Sequence, residues 1–323
     1  MLQYFRKIKF NNLTFSIDNV VLDYAIGSQP YREQFVKLLE ELPLRYRCEV
    51  INWQTFKMGA FRLQFKILLP DGNSFWIGVG LNQAKTNFKR IRLDFNPNKI
   101  ANHAPFREIL IFLNTKSKRM HTCIPRYDLA IDIPIERENV FLMKDNRAYS
   151  ERRHGKEWTS YLGKSSNVGR VKLYNKQVES KLSYPLTRLE LTLDYQQSFP
   201  ELNFPKVYYI NTSQMHIDEL SMTDTDRFIL QALLTGHGGL PELGRKTRKK
   251  MEQILTYYTK TVRLDQKVFD ELHRQLTDLM DFPSKPLPDD TIIFDKTPMP
   301  SAGQANLKEI LIGSEFPFLP PHE

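Results

Sequence analysis

The sequence predicts an α+β fold: a twisted antiparallel sheet domain with flanking helices, plus a helical C-terminal region. Three observations predict it. β-favouring segments recur with period-2 alternation, and many of their connections are too short for the helical crossover that parallel strands need. Helical spacing interrupts them in two places, giving helix-then-strands twice. After Ser221 the alternation stops and amphipathic helical patterns take over.

The segments fall in order. Gln29 to Pro43 places Phe35, Leu38, Leu39 and Leu42 at helical spacing, with Pro43 as a stop. Phe61 to Leu69 alternates, Pro70 to Asn73 turns, and Ser74 to Leu81 continues, which is a hairpin signal. Lys89 to Phe95 is a further strand, and Ala104 to Thr115 a second helix. Four strands follow: Ile124 to Ile135, Trp158 to Lys164, Gly169 to Lys176 and Leu186 to Tyr195. Thr223 to Leu234 opens with capping residues and reads as a helix. Arg245 to Lys260 is a basic helix and Asp265 to Met280 an amphipathic one. Eight of the nineteen prolines lie from Pro283 onward, so the tail is expected to be extended, with Leu307 to Ile312 as a short docking element. The expected parts are 1–115 and 116–220 (one α+β domain, the second holding the four-strand run), 221–282 (a helical region) and 283–323 (a proline-rich tail). No internal repeat is visible.

The net charge of +9 favours a polyanionic partner, nucleic acid first. The excess is local. Lys144 to Lys181 holds ten Lys or Arg against four Asp or Glu, and Gly244 to Lys250 holds five basic residues in seven. The two cysteines, Cys48 and Cys123, form no framework, so a reducing compartment, the cytoplasm, is expected. No apolar run approaches the roughly 20 residues of a membrane-spanning helix, and the opening residues lack the core of a signal peptide. No membrane association is expected.

In a strand, residues two apart share a face. Arg126, Asp128, Ala130 and Asp132 therefore point one way, as do Arg188, Glu190 and Thr192, and Arg170, Lys172, Tyr174 and Lys176. Collected in one sheet, they make a face of carboxylates, cations and a tyrosine. Carboxylate oxygens suit Mg²⁺ or Mn²⁺, which can neutralise a reacting phosphate. A tyrosine oxygen can attack phosphorus and stay attached, and nearby cations would steady the phosphate and lower the phenol's pKa. A solvated face with cross-strand ion pairs has the same pattern.

The ordered motifs resemble the Rep_trans family of rolling-circle plasmid replication initiators, whose core is shared by relaxases of integrative conjugative elements. The residues are Arg126/Asp128/Asp132, then Tyr161/Gly163/Ser166, then Tyr174/Lys176/Glu179, then Arg188/Glu190, between Ile124 and Leu193. The resemblance implies a sequence-specific nickase of double-stranded origin DNA. Tyr174 would be the nucleophile, leaving a 5′-phosphotyrosine and a free 3′-OH, with Lys176 and Arg188 as catalytic partners. Metal would sit on acids drawn from Asp128, Asp132, Glu190 and Glu179, and Arg126, Arg170 and Lys172 would contact DNA. It further implies a homodimer that recruits a host helicase. No His-hydrophobe-His pair occurs among the seven histidines, which points to an all-carboxylate metal site.

Arg245, Lys246, Arg248, Lys249 and Lys250 open a helix after a glycine-containing turn, loosely a helix-turn-helix, and are the candidates for origin recognition. A solvated basic helix face is the alternative. Tyr149, Tyr161 and Tyr184 are rival nucleophiles. Trp53, Trp76 and Trp158 read as core residues, and His154 as part of a solvated loop. Three other functions share these features: a conjugative relaxase with the same chemistry, a DNA-binding regulator that does not cleave, and a phosphodiesterase that uses water.

Overall fold

The computed structural model describes residues 5–26, 28–52, 61–81, 90–117, 122–155, 157–164, 168–210, 222–234, 237–283 and 292–293. Trp53, Ser166, Ser221 and the Leu307 to Ile312 segment lie outside them. The N-terminal half contains β1 (Ile8–Phe10), β2 (Leu13–Ala25), α1 (Gln29–Arg45), β3 (Glu49–Asn52), β4 (Phe61–Leu68), β5 (Ser74–Leu81), β6 (Arg90–Phe95), α2 (Pro97–Ile100) and α3 (Ala104–Lys116). Next come β7 (Thr122–Ile133), β8 (Val140–Leu142), β9 (Tyr149–His154), β10 (Glu157–Leu162), β11 (Val171–Asn175), α4 (Lys176–Ser180) and β12 (Thr187–Leu193). The remainder is β13 (Val207–Ile210), α5 (Asp224–Leu234), α6 (Arg245–Tyr258), β14 (Thr259–Thr261), α7 (Gln266–Asp281) and β15 (Ile292–Ile293).

The expected α+β architecture is present. One sheet runs β3-β4-β5-β6-β2-β7-β12-β11-β10-β9, and every neighbouring pair along it is antiparallel. One face is apolar. Phe15, Ile17 and Leu22 of β2 and Leu189 of β12 are fully buried there with Phe35 and Leu39 of α1, Ile109 and Leu113 of α3, and Leu272 and Leu276 of α7. Each such side chain contributes about 1.5–3 kcal/mol of burial. The helical C-terminal region divides. α7 belongs to this main core, whereas α5 and α6 bury Leu233, Met251 and Leu255 in a smaller cluster with Met143 and Tyr208, beside a second sheet β14-β13-β8.

Three expectations need correction. Pro43 does not stop α1; it lies inside the helix, and the chain leaves at Tyr46. Proline there forfeits one intrahelical bond near the last turn, where the loss is small. The strand through Tyr174 ends at Asn175, whose side chain accepts from the Val178 N–H and starts α4. Lys176 therefore sits on a short helix, not on the strand face.

The third correction concerns repetition. Each half is a long strand, an excursion, and a four-strand meander whose last strand returns beside the long one: β2 then β3 to β6, and β7 then β9 to β12. The long strands pair antiparallel at the centre, with Asn19 opposite Asp128. An approximate twofold axis through that pair relates the halves. It carries the register Arg188–Asp132 onto Arg92–Asp23, Glu190–Ala130 onto Asp94–Val21, and Tyr174–Arg188 onto Gly78–Arg92. Its sequence trace is slight: "RLEL" at Arg188 to Leu191 against "RLDF" at Arg92 to Phe95.

Candidate active site on the polar sheet face

The opposite face of the sheet collects the polar residues in rows. Register places Arg152, Thr159, Tyr174, Arg188 and Asp132 side by side across β9, β10, β11, β12 and β7. The next row is Tyr161, Lys172, Glu190 and Ala130, and Thr192 then stands opposite Asp128. The arrangement follows from alternation: Leu189, Leu191 and Leu193 enter the core, so Arg188, Glu190 and Thr192 must emerge on the other side.

Tyr174 is the centre of this face. Its hydroxyl donates to Glu190 Oε1 at 2.6 Å, and Lys172 Nζ lies 3.8 Å from the ring centroid while reaching Glu190 Oε2 at 3.4 Å. Tyr174 is 5% exposed. The expected lowering of the tyrosine pKa is not found. Burial, the Glu190 charge and the Glu190 hydrogen bond all push the phenol far above its usual value. In this resting arrangement the tyrosine is a protonated donor held against a base.

The four acidic candidates separate. Asp132 accepts a bidentate pair from Arg188, at 2.6 Å from Nε and 2.9 Å from the second guanidinium nitrogen. Arg92 grips Asp23 in the same way, at 2.6 and 2.7 Å, in the half that has no tyrosine at the equivalent position. A clamp built twice, once without a nucleophile nearby, fastens strands together. Asp132 is therefore occupied by Arg188, which also bonds Asp18, and neither stands free on the face. Burial works against the Arg188 charge, but the bond and charge of Asp132 and the charge of Asp18 outweigh it and raise its pKa. Arg188→Ala strands Asp132 and Asp18 without their cation and is expected to cost about 3–5 kcal/mol in urea unfolding. Arg188→Lys recovers part of that loss, because an ammonium cannot make the planar double contact.

Glu179 is also taken up, paired with Lys176 on the first turn of α4. Burial opposes its ionisation, but the Lys176 bond and charge prevail and lower its pKa. Asp128 behaves differently. Burial, with the Glu190 and Asp18 charges behind it, pushes its carboxyl up to about 6 despite a hydrogen bond from Thr192. A carboxylate so crowded by its own kind favours a cation. Among the described residues no group of three or more His, Cys, Asp or Glu is placed to hold an ion unaided. Asp128 and Glu190 fit the other arrangement, in which Mg²⁺ takes one or two carboxylates and completes its shell with substrate phosphate and water.

Asp18 was not anticipated. A register shift between Ile17 and Asn19 inserts it into β2, where it accepts from Arg188 at 2.9 Å and Asn96 at 3.2 Å. The signal was present: large apolar residues run Leu13, Phe15, Ile17 and then Val20, Leu22, Tyr24, a change of phase that marks a bulge.

The cationic candidates also separate. Arg126 pairs with Asp94 at 3.5 Å, and Arg170 stacks 5.1 Å over Tyr161. On α6, Arg248 bonds the carbonyls of Leu240, Pro241 and Leu243, and Lys250 pairs with Asp226 at 2.5 Å. Those two hold the local fold, whereas Arg245, Lys246 and Lys249 are exposed. Residues 235–244 separate α5 from α6, far more than the 3–4-residue turn of a helix-turn-helix, so that expectation fails.

Of the rival tyrosines, Tyr149 donates to Glu151 at 2.8 Å and is pushed up to about 12 by burial, and Tyr184 is 54% exposed. Trp158 lies between Arg137 at 4.1 Å and Arg153 at 4.7 Å. His154 is exposed at the end of β9, a strand rather than the expected loop. No helix of the described residues is long and apolar enough to cross a membrane.

No family model matches the sequence, and no curated protein matches it. Among solved structures, the chain is similar to a rolling circle replication initiator protein from Geobacillus stearothermophilus, at 13% identity and a TM-score of 0.37, over 86% of this chain and 100% of that one. It is also similar to the immunity protein TplEi of T6SS from Pseudomonas aeruginosa, at 8% identity and a TM-score of 0.15, over 73% and 97%. Scores this low carry no argument about function, which rests on the residues of the polar face.

Proposed function

We propose that the protein is a metal-dependent DNA nickase that initiates rolling-circle plasmid replication through Tyr174. The observation that carries this reading is the Tyr174 hydroxyl bonded to Glu190 beside Lys172, with a second carboxyl, Asp128, on the same face whose pKa burial raises. Tyr174 Oη attacks phosphorus and gives its proton to Glu190. The P–O3′ bond breaks, the 5′-phosphate stays on the tyrosine, and the 3′-oxygen leaves and takes a proton from water to become the 3′-hydroxyl. Lys172, no longer matched by a charged Glu190 once the proton has moved, offsets the charge that develops on the phosphate. Asp128 and Glu190 would hold Mg²⁺ or Mn²⁺, which supplies charge neutralisation at the phosphate. Arg245, Lys246 and Lys249 supply salt-dependent contacts to double-stranded origin DNA. A homodimer and a host helicase complete the proposed assembly.

The test is relaxation of a supercoiled plasmid carrying the DNA that flanks this protein's gene, with Mg²⁺ or Mn²⁺. A nick with a protein–DNA adduct supports the reading; binding without a nick overturns it. A DNA-binding regulator is the second reading, favoured by the 5% exposure of Tyr174. Metal must displace the proton of Asp128, so metal-supported nicking is expected to rise with pH through about 6 and level off above it. A pH–rate profile in saturating and limiting metal checks this, because excess metal moves the rise to lower pH.

A further inference from the structure

The twofold repeat leaves a second site that the tyrosine chemistry does not use. The position equivalent to Tyr174 is Gly78, and that equivalent to Lys172 is Trp76. Gly78 cannot bear a side chain, because a Cβ there would come within 2.5 Å of the Trp76 ring and 2.6 Å of Phe61. The two rings meet edge-to-face at 5.3 Å, and Arg92 lies 5.4 Å from the Phe61 centroid. The N-terminal half has thus replaced a tyrosine by an indole laid across the strand. Beside it a cavity of about 510 Å³ is lined by Trp76, Lys66, Lys99, Asn73 and Asn96, among others. Trp76 is only half-buried, and Lys99 is exposed. The one carboxylate in the lining, Asp94, is matched by Asn19 at 2.9 Å and Arg126 at 3.5 Å.

We propose that this cavity is a non-catalytic single-stranded DNA site: a base of the strand processed at Tyr174 stacks on Trp76, and Lys66 and Lys99 hold the adjoining phosphates. The inference rests on the nickase reading. The volume is that of an ordinary small-ligand pocket. Indole with lysines and amides is the combination that binds single strands without sequence preference. A strand is favoured over a free nucleotide because both sites lie on one sheet face. Trp76 on β5 and Tyr174 on β11 are five strand spacings apart across the sheet, and their rows cross β7 at Arg126 and Asp132, six residues apart, so one bound segment that reaches both spans about 31 Å.

The test uses the full chain carrying Tyr174→Phe, without divalent metal, so that binding is read apart from cleavage. Anisotropy of a labelled single strand of about 12 nucleotides is compared across variants. Trp76→Ala is expected to weaken binding about tenfold or more, while Trp76→Phe keeps most of it. Lys99→Glu, at an exposed position, weakens binding without altering the melting temperature. Unchanged affinity in both Trp76→Ala and Lys99→Glu overturns the proposal, as does equal competition by a mononucleotide. If wild type fails to nick while Trp76 and Lys99 still govern strand binding, the nickase reading falls and this site stands.

Discussion

Tyr174→Phe is expected to abolish the covalent protein–DNA adduct and to lower nicking by about 10³-fold or more, the scale seen when a nucleophile is removed. The fold should barely respond. The phenyl ring keeps its place under Lys172, and the loss is the one hydroxyl that Glu190 accepts, about 1 kcal/mol. A melting temperature within a few degrees of wild type, together with no adduct on a denaturing gel, separates chemistry from stability. The same variant distinguishes the phosphodiesterase alternative, since a water nucleophile needs no phenol and would go on cutting. The raised pKa sharpens the expectation. A phenol buried against a carboxylate does not ionise beforehand at neutral pH, so its proton must leave during the attack, to Glu190. Glu190→Gln, which cannot take that proton, should lower nicking nearly as far. DNA binding through Arg245, Lys246 and Lys249 should be unchanged.

Much of this face was legible in the sequence because alternation alone decides which side of a strand a residue occupies. Arg126, Asp128 and Asp132 on β7, and Arg188, Glu190 and Thr192 on β12, emerged together as the period-2 rule requires. Three things were not legible. Local pattern does not say whether a charge is free: Asp132 and Arg188 share a strand face with Asp128 and Glu190, yet form a clamp that only the cross-strand register reveals. The boundary at Asn175 was hidden because a side-chain cap, not a change in hydrophobicity, turns the chain into α4 before Lys176. The central strand β2 escaped notice because its bulge at Asp18 breaks the alternation that would have announced it. With β2 unseen, the twofold repeat was unseen too, since Asn19 and Asp23 are the counterparts of Asp128 and Asp132. What remains of the repeat in sequence is a few residues wide, whereas the strand order and the two arginine clamps preserve it.

Asp128→Asn is expected to make the protein more stable and less active, a combination that a structural aspartate would not give. In the metal-free protein the Asp128 carboxyl has been pushed from its ordinary 3.8 to about 6, by burial first and then by the Glu190 and Asp18 charges. A carboxyl raised on folding contributes stability that is fully present below about 3.8 and is lost as pH rises through about 6. At pH 8 the folded wild type therefore carries an ill-solvated charge, and asparagine has the shape of the protonated acid and can still accept from Thr192. The gain should be about 1–3 kcal/mol at pH 8 and should vanish near pH 4. Urea unfolding at the two pH values in chelator measures it directly. Adding Mg²⁺ should then stabilise wild type more than Asp128→Asn, because the variant keeps Glu190 but lacks the second anionic ligand. Loss of nicking with a gain in stability identifies Asp128 as a residue kept for the metal at a cost to the fold; loss of both would instead place it among the clamps, with Asp132.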